Sequence, residues 1–320
     1  MCVTLSQSIL FYRDFIRASG GHQKVYDYFQ HLVAHRRYRP SISFSDESLW
    51  NSTNPWFPEY QGKAITFRPS DFDCLILAGM DWNIYRSVGI DIDLPVVNLI
   101  QHVRHAEPEQ PMHEFLAEKA IRICVSPEVK EAILSTGKVN GPVFVIPNGV
   151  GVPKIERPKS VDFFIAGLKR PHMAGRIQTA LHQQGHSVDC LRERIPRAKF
   201  LERLASTKIA IMLPAETEGF YLPAIEAMHL ADLVVVPDCI GNRSFCFDHQ
   251  EANGNCFFTS QQDDSIILAS QAALDMLEDG NEMSRIQNNA ALTVEQHSLA
   301  REREAFYEVM DQVETLWKSI

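Results

Sequence analysis

The sequence contains no pair of cysteines spaced C-x-x-C. Its seven cysteines, at 2, 74, 124, 190, 239, 246 and 256, are odd in number and scattered. That pattern excludes a zinc ribbon and a disulfide framework. Cys74, Cys124 and Cys256 sit inside apolar runs and are expected to be small core residues. No apolar run approaches the ~20 residues that span a bilayer. The opening MCVTLSQSILFYRDF lacks the basic region and apolar stretch of a secretory leader, so a cytoplasmic location is expected. Positive charge is also short. Lys and Arg number 31 against 40 Asp and Glu, a net charge of −9, which argues against a nucleic-acid partner. G-x-G-x-x-G, H-E-x-x-H and G-x-S-x-G are all missing, so dinucleotide, zinc-protease and serine-hydrolase chemistry find no motif.

What is present is an ordinary globular composition over 320 residues, 45% hydrophobic and 22% charged, a length that suits two domains. Short β-branched or apolar runs recur at 9–12, 41–44, 74–78, 96–100, 121–125 and 143–146. After a break they resume at 163–166, 186–190, 209–213, 233–236 and 256–258. Runs of this length without strict alternation fit strands buried on both faces of a parallel sheet. Between them lie helical stripes, one of Val25, Tyr28, Phe29, Leu32 and Val33, another of Phe306, Val309, Met310, Val313, Leu316 and Trp317. Alternating strand and helix predicts an α/β chain with two doubly wound parallel sheets. The break at 147–154, PNGVGVPK, carries two prolines and two glycines, which stop helix and strand alike. A boundary is placed there, with domains over 1–152 and 153–300. The cleft facing the strand carboxyl ends is the expected ligand site.

The stretch 209–242 reads IAIMLPAETEGFYLPAIEAMHLADLVVVPDCIGN. A buried strand ends near Pro214, a polar loop follows over 215–219, and a helix with Pro223 in its first turn is predicted to run to about 232. A helix start after a strand and loop is an anion site, because its first N–H groups lack partners and its dipole favours negative charge. Gly219 lets backbone approach a ligand closely. Glu218 in the loop and Glu226 in the helix would repel an anion unless they address hydroxyls. Phosphate on N–H groups and hydroxyls on carboxylates together suggest a nucleotide-sugar. The plain alternatives are a solvated loop acid and a surface helix acid.

The segment E-G-F-Y-L-P-A-I-E-A-M at 218–228 resembles the Glu-x7-Glu motif of retaining GT-B glycosyltransferases, especially family four, whose usual form is E-G-F-G-L-P-x-x-E-A-M. Supporting likenesses are Ser19-Gly20-Gly21, similar to the family's glycine-rich acceptor-side loop, V-I-P-N-G-V at 145–150, and N-G-N-C-F at 253–257. The resemblance implies a GT-B fold, two Rossmann-like domains facing a cleft, with a C-terminal helix over 301–320 crossing back to the N-terminal domain. It implies transfer of a sugar from a nucleotide-sugar donor to a hydroxyl acceptor, a surface glycan or lipid-linked saccharide. Anomeric configuration would be retained, and neither metal nor cofactor is expected. By resemblance Glu226 would hold the donor ribose, Glu218 the transferred sugar, and the backbone of Gly219, Phe220, Tyr221 and Leu222 the phosphates. Gly20 and Gly21 would serve the acceptor.

The family's G-R-L-x-x-x-K stretch is changed. After Gly167 come Leu168, Lys169 and Arg170, and Met173 stands at the usual Lys. A departing diphosphate in a metal-free site needs a cation, so Lys169 and Arg170 are the candidates. Tyr221 replaces a glycine. His102, at the end of the 96–100 run, is the candidate for a family histidine that contacts the donor sugar, with Arg104 and His105 as acceptor-side candidates. Asp71-Phe-Asp73 has the D-x-D form of GT-A metal sites but precedes its strand, and is read as a turn into that strand. His31, His35, Arg36, Arg37 and Arg39 would suit anionic lipid, so peripheral membrane contact is a further expectation. A catalytically inactive sugar-binding GT-B partner subunit and a GT-B nucleotide-sugar epimerase remain as alternatives.

Overall fold

The computed structural model describes residues 6–17, 19–88 and 93–320; Cys2 lies outside them. The chain divides into two compact units, Met1–Asn148 with Leu299–Ile320, and Gly149–Ser298. The six other cysteines are free thiols, with Cys74, Cys124 and Cys256 buried.

The first unit contains β1 (Gln7–Arg13), α1 (Gly20–Val33), β2 (Tyr38–Phe44), β3 (Cys74–Ala78), α2 (Trp82–Ser87), β4 (Val96–Ile100), β5 (Ile121–Cys124), α3 (Pro127–Leu134) and β6 (Val143–Val145). The strands pair in the order β2-β1-β3-β4-β5-β6, every pairing parallel. Every residue of β3, β4 and β5 is buried, which is why their sequences run apolar rather than alternate.

The second unit contains β7 (Val161–Ala166), α4 (Pro171–Gln183), β8 (Val188–Leu191), α5 (Arg197–Ala205), β9 (Thr207–Met212), α6 (Leu222–Leu230), β10 (Leu233–Pro237), β11 (Phe257–Thr259), α7 (Asp263–Met276) and α8 (Gly280–Gln296). Its sheet runs β11-β10-β9-β7-β8, again all parallel. In both sheets the winding reverses beside the first strand, between β1 and β3 in one and between β7 and β9 in the other. Loops leaving the carboxyl ends of two such strands part to opposite faces, so each sheet has a crevice there.

The chain then returns to the first unit as α9 (Leu299–Met310) and α10 (Val313–Lys318). One helix was expected here; two form. The break falls at Asp311, whose carboxylate accepts from Arg37 at 2.8 Å and the Tyr38 hydroxyl at 3.1 Å. Val25, Tyr28, Phe29 and Leu32 of α1 are buried as their spacing predicts, but Val33, the last residue of the helix, is exposed. α9 is fixed to α1 by charge as well as packing. Glu302 is 1% exposed and pairs with Lys24 at 2.6 Å and His31 at 2.9 Å. Among the described residues no helix is long and apolar enough to cross a membrane.

Candidate functional site

The crevice of the second unit is built by three loops. Behind β7, a Cβ on Gly167 would lie 2.2 Å from that of Ala174, so a glycine is required for α4 to pack where it does. The Arg170 N–H donates to the Gly167 carbonyl at 3.0 Å, and this turn presents Lys169 and Arg170. Behind β9 runs the loop 213–221. Lys169 Nζ meets Glu218 Oε1 at 2.8 Å, and Arg170 meets Glu216 at 2.6 Å and Gln261 at 2.6 Å. The third loop, behind β10, supports the second. The Ile240 N–H donates to the Glu216 carbonyl at 3.1 Å, and a Cβ on Gly241 would lie 2.4 Å from Gly219 C and 2.5 Å from Phe220 N. The Phe220 ring is pinned from its far side by Phe245 and His297, with centroids at 4.8 and 5.2 Å.

The loop feeds directly into α6. The N-cap residue of that helix, Tyr221, makes no side-chain capping bond, and Pro223 stands in its first turn, so among the described residues no side chain accepts from the first-turn N–H groups. The helix ends at Leu230, short of the expected 232, because Ala231 is already extended. Of its buried residues, Glu226 alone is charged. Its Oε1 accepts from both Arg197 Nε at 2.9 Å and Nη2 at 2.7 Å. Burial raises the Glu226 pKa, and Arg197 opposes the rise. Burial, then Glu218, raises the Tyr221 phenol far enough to keep it neutral. Neither acid is freely solvated, the Glu226 side chain being 8% exposed and that of Glu218 17%.

The crevice of the first unit holds a different set. Gly20 and Gly21 are not in a loop; they open α1, with the Ser19 hydroxyl capping the His22 N–H. A Cβ on Gly21 would stand 3.2 Å from Gln101 Oε1, and Gln101 donates to the Gly21 carbonyl at 3.3 Å. His102, the next residue, caps a single 3-10 turn through its Nδ1, which accepts from Arg104 N–H at 3.1 Å. Arg104 is exposed. His105 is buried, its Nδ1 2.9 Å from the His102 carbonyl, and burial lowers its pKa to about 4. His113 Nδ1 meets the His105 carbonyl at 3.1 Å. The segment carrying His113 is clamped by fully buried Arg122, which donates to the carbonyls of Phe115, Leu116 and Glu118.

A cluster with no sequence signal lies at the same crevice. Arg13, at the end of β1, donates to Asp81 at 2.7 Å and faces His22 Nδ1 at 3.0 Å. Burial raises Asp81 to about 6 against the pull of Arg13. Burial and Arg13 together lower His22 to about 4. Asp81 lies 68 residues from Arg13, so the pairing is legible only once β1 and β3 are adjacent. Arg197 is likewise brought to Glu226, 29 residues later, only by the packing of α5 against α6. Asp73, read as a turn into β3, accepts from the Ser8 N–H at 2.7 Å and its hydroxyl at 2.8 Å. The basic face at 31–39 is smaller than its composition suggests. His31 is buried against Glu302 and Arg37 pairs with Asp311, which leaves Arg36 and Arg39 exposed.

No protein-family model matches the sequence, and no curated protein matches it. Solved structures do resemble it. HepE of Anabaena, in its complex with UDP-glucose, is 14% identical over 96% of this chain and 100% of its own, with a TM-score of 0.70. A glycosyltransferase from Rickettsia africae is 14% identical over 96% and 98%, with a TM-score of 0.66. A UDP-forming α,α-trehalose-phosphate synthase from Burkholderia vietnamiensis is 10% identical over 97% of both chains, with a TM-score of 0.59. At such identities the likeness is one of fold, and that fold is the GT-B fold of glycosyltransferases, two parallel-sheet α/β units in one chain.

Proposed function

We propose that the chain is a glycosyltransferase that moves a sugar from a nucleotide-sugar to a hydroxyl acceptor. The observation that carries this is the gathering of Lys169, Arg170, Glu218 and the uncapped start of α6 at the β7/β9 crevice, with Glu226 in the following turn. Cations and the N–H groups at a helix start suit a diphosphate, and the carboxylates suit ribose and sugar hydroxyls. HepE, of the same fold, was solved with UDP-glucose and with UDP. A uridine nucleotide is therefore the first donor to try.

In this reading Glu226 accepts from the donor ribose, Glu218 addresses the transferred sugar, and Lys169 and Arg170 stabilise the departing diphosphate without a metal. Positive groups fixed before the reaction cost no reorganisation when charge develops on the leaving oxygen. Retention of configuration follows from the Glu-x7-Glu resemblance, with the leaving phosphate taking the acceptor proton on the same face. The acceptor, a glycan or lipid-linked saccharide, is assigned to Gly20, Gly21, Arg104 and His105, and His102 to the donor sugar. The test is nucleoside diphosphate release from UDP-, GDP-, dTDP- and ADP-sugars, with and without acceptor extract. Release that needs an acceptor and is lost in Glu218→Ala is expected. Absence of release with every donor, or release that persists in the variant, contradicts the proposal.

A second reading, a sugar-binding subunit without activity, is favoured by Leu168 and Met173 at the two positions where the family carries its basic pair. It predicts nucleotide binding without release.

A further inference from the structure

We propose that Arg197 is the positioning residue of this site: it occupies one oxygen of Glu226 and thereby turns the other toward the donor. The inference rests on the donor reading above and goes beyond it, since nothing in the Glu-x7-Glu segment calls for an arginine at the start of α5. An unconstrained arginine meets a carboxylate as a fork, one N–H to each oxygen. Here both Nε and Nη2 converge on Oε1, and among the described residues no hydrogen bond reaches Oε2. The cause is a third anchor: Nη2 also donates to the Gly151 carbonyl at 2.8 Å. The guanidinium is thereby held at two points. Oε2 is not one of the buried polar atoms left without a partner, so it is open to solvent, and a pair of vicinal ribose hydroxyls supplies donors of the kind it accepts.

Charge follows the geometry. α6 packs against α5, α8, β9 and β10. Of the charged groups on these elements, Arg197 is the one that acts on the Glu226 carboxylate, and neutral Tyr221 is its other titratable neighbour. Burial favours the protonated form of Glu226, and Arg197 opposes it. Its own side chain is 52% exposed, so its replacement opens no cavity.

The test compares the full chain with Arg197→Gln and Arg197→Lys. Without nucleotide, carbon-detected NMR titration of the Glu226 carboxyl should show a higher midpoint in Arg197→Gln than in the wild type, and an intermediate one in Arg197→Lys. An unchanged midpoint overturns the inference whatever the ligand is. With UDP as probe, calorimetry between pH 6 and 8 should show about tenfold weaker binding in Arg197→Gln at pH 7, the loss of one charge-assisted contact. The deficit should deepen as pH falls. Arg197→Lys keeps the charge but not the two convergent N–H donors and should fall between; it also serves if Arg197→Gln fails to fold. Equal UDP affinity in all three proteins overturns the positioning role and leaves the donor reading standing. Absence of binding by the wild type to UDP, GDP, dTDP and ADP overturns the donor reading and this inference with it.

Discussion

Lys169 and Glu218 meet at 2.8 Å across the β7/β9 crevice. A cation proposed for the diphosphate and an acid proposed for the sugar thus pair with each other. A bound diphosphate would draw Lys169 away and free Glu218 for a hydroxyl. Lys169 is half exposed, so the pair itself adds little to stability. Lys169→Met should therefore lower kcat/KM by about a hundredfold while unfolding free energy stays within about 0.5 kcal/mol of the wild type. Steady-state kinetics and urea unfolding on the same preparation check this. A large loss of stability, or unaltered turnover, contradicts the assigned role.

Gly241 bears on the same loop from below. A methyl group there would overlap the backbone of Gly219 and Phe220, which are not side-chain ends that swing aside. Gly241→Ala should cost about 1–3 kcal/mol by overpacking and weaken nucleotide binding more than that loss of stability explains. Hydrogen exchange should show faster exchange confined to the amides around 216–222. A variant with wild-type exchange there would remove Gly241 from the account.

The strand pattern was legible because a parallel sheet covered on both faces needs continuous apolar runs, as in CLILA of β3 and LVVVP of β10. The loop and helix around Glu218 and Glu226 were legible for a related reason, since strand, turn and helix start follow one another in the chain. Contacts created by the sheet order were not. Arg197 precedes Glu226 by 29 residues, and no local periodicity ties α5 to α6. The Lys24–Glu302 pair is hidden in the same way, because it depends on α9 returning to α1. The single expected C-terminal helix missed its break, because Asp311 is held by Arg37 and Tyr38 from elsewhere in the sequence.

His105 sets a pH dependence. Its ring titrates near 4 in the folded chain, because burial disfavours the cation, against an ordinary 6.5 when unfolded. Its contribution to stability is therefore present above pH 6.5 and is lost as pH falls through about 4. Over that window the unfolded chain binds the extra proton, worth about 2–3 kcal/mol. His22, also lowered to about 4, acts in the same direction. Asp81, raised to about 6, acts in the opposite one, losing stability as pH rises toward 6. The difference between wild type and His105→Gln isolates one group. Unfolding free energy measured from pH 7 to 4 should fall less steeply in the variant. Parallel curves would contradict a neutral, buried His105.

Glu302 tests how α9 is held. Lys24 is 2% exposed and in Glu302→Ala would keep Asp27, at 2.8 Å, but lose its partner on α9. Losing a buried charge-assisted contact costs about 1.5–3 kcal/mol, so this variant should unfold more readily than Glu308→Ala at an exposed site of the same helix. Thermal unfolding of the two side by side is the check. Equal midpoints would mean that apolar packing alone holds α9.

The central claim is that the β7/β9 crevice binds a nucleoside diphosphate through Glu226 and the start of α6. Isothermal titration of UDP, GDP, dTDP and ADP into the wild type and Glu226→Ala tests it most directly. The account predicts that at least one diphosphate binds the wild type and that its affinity falls about tenfold or more in the variant. Binding of none of the four, or equal binding by both proteins, would contradict it.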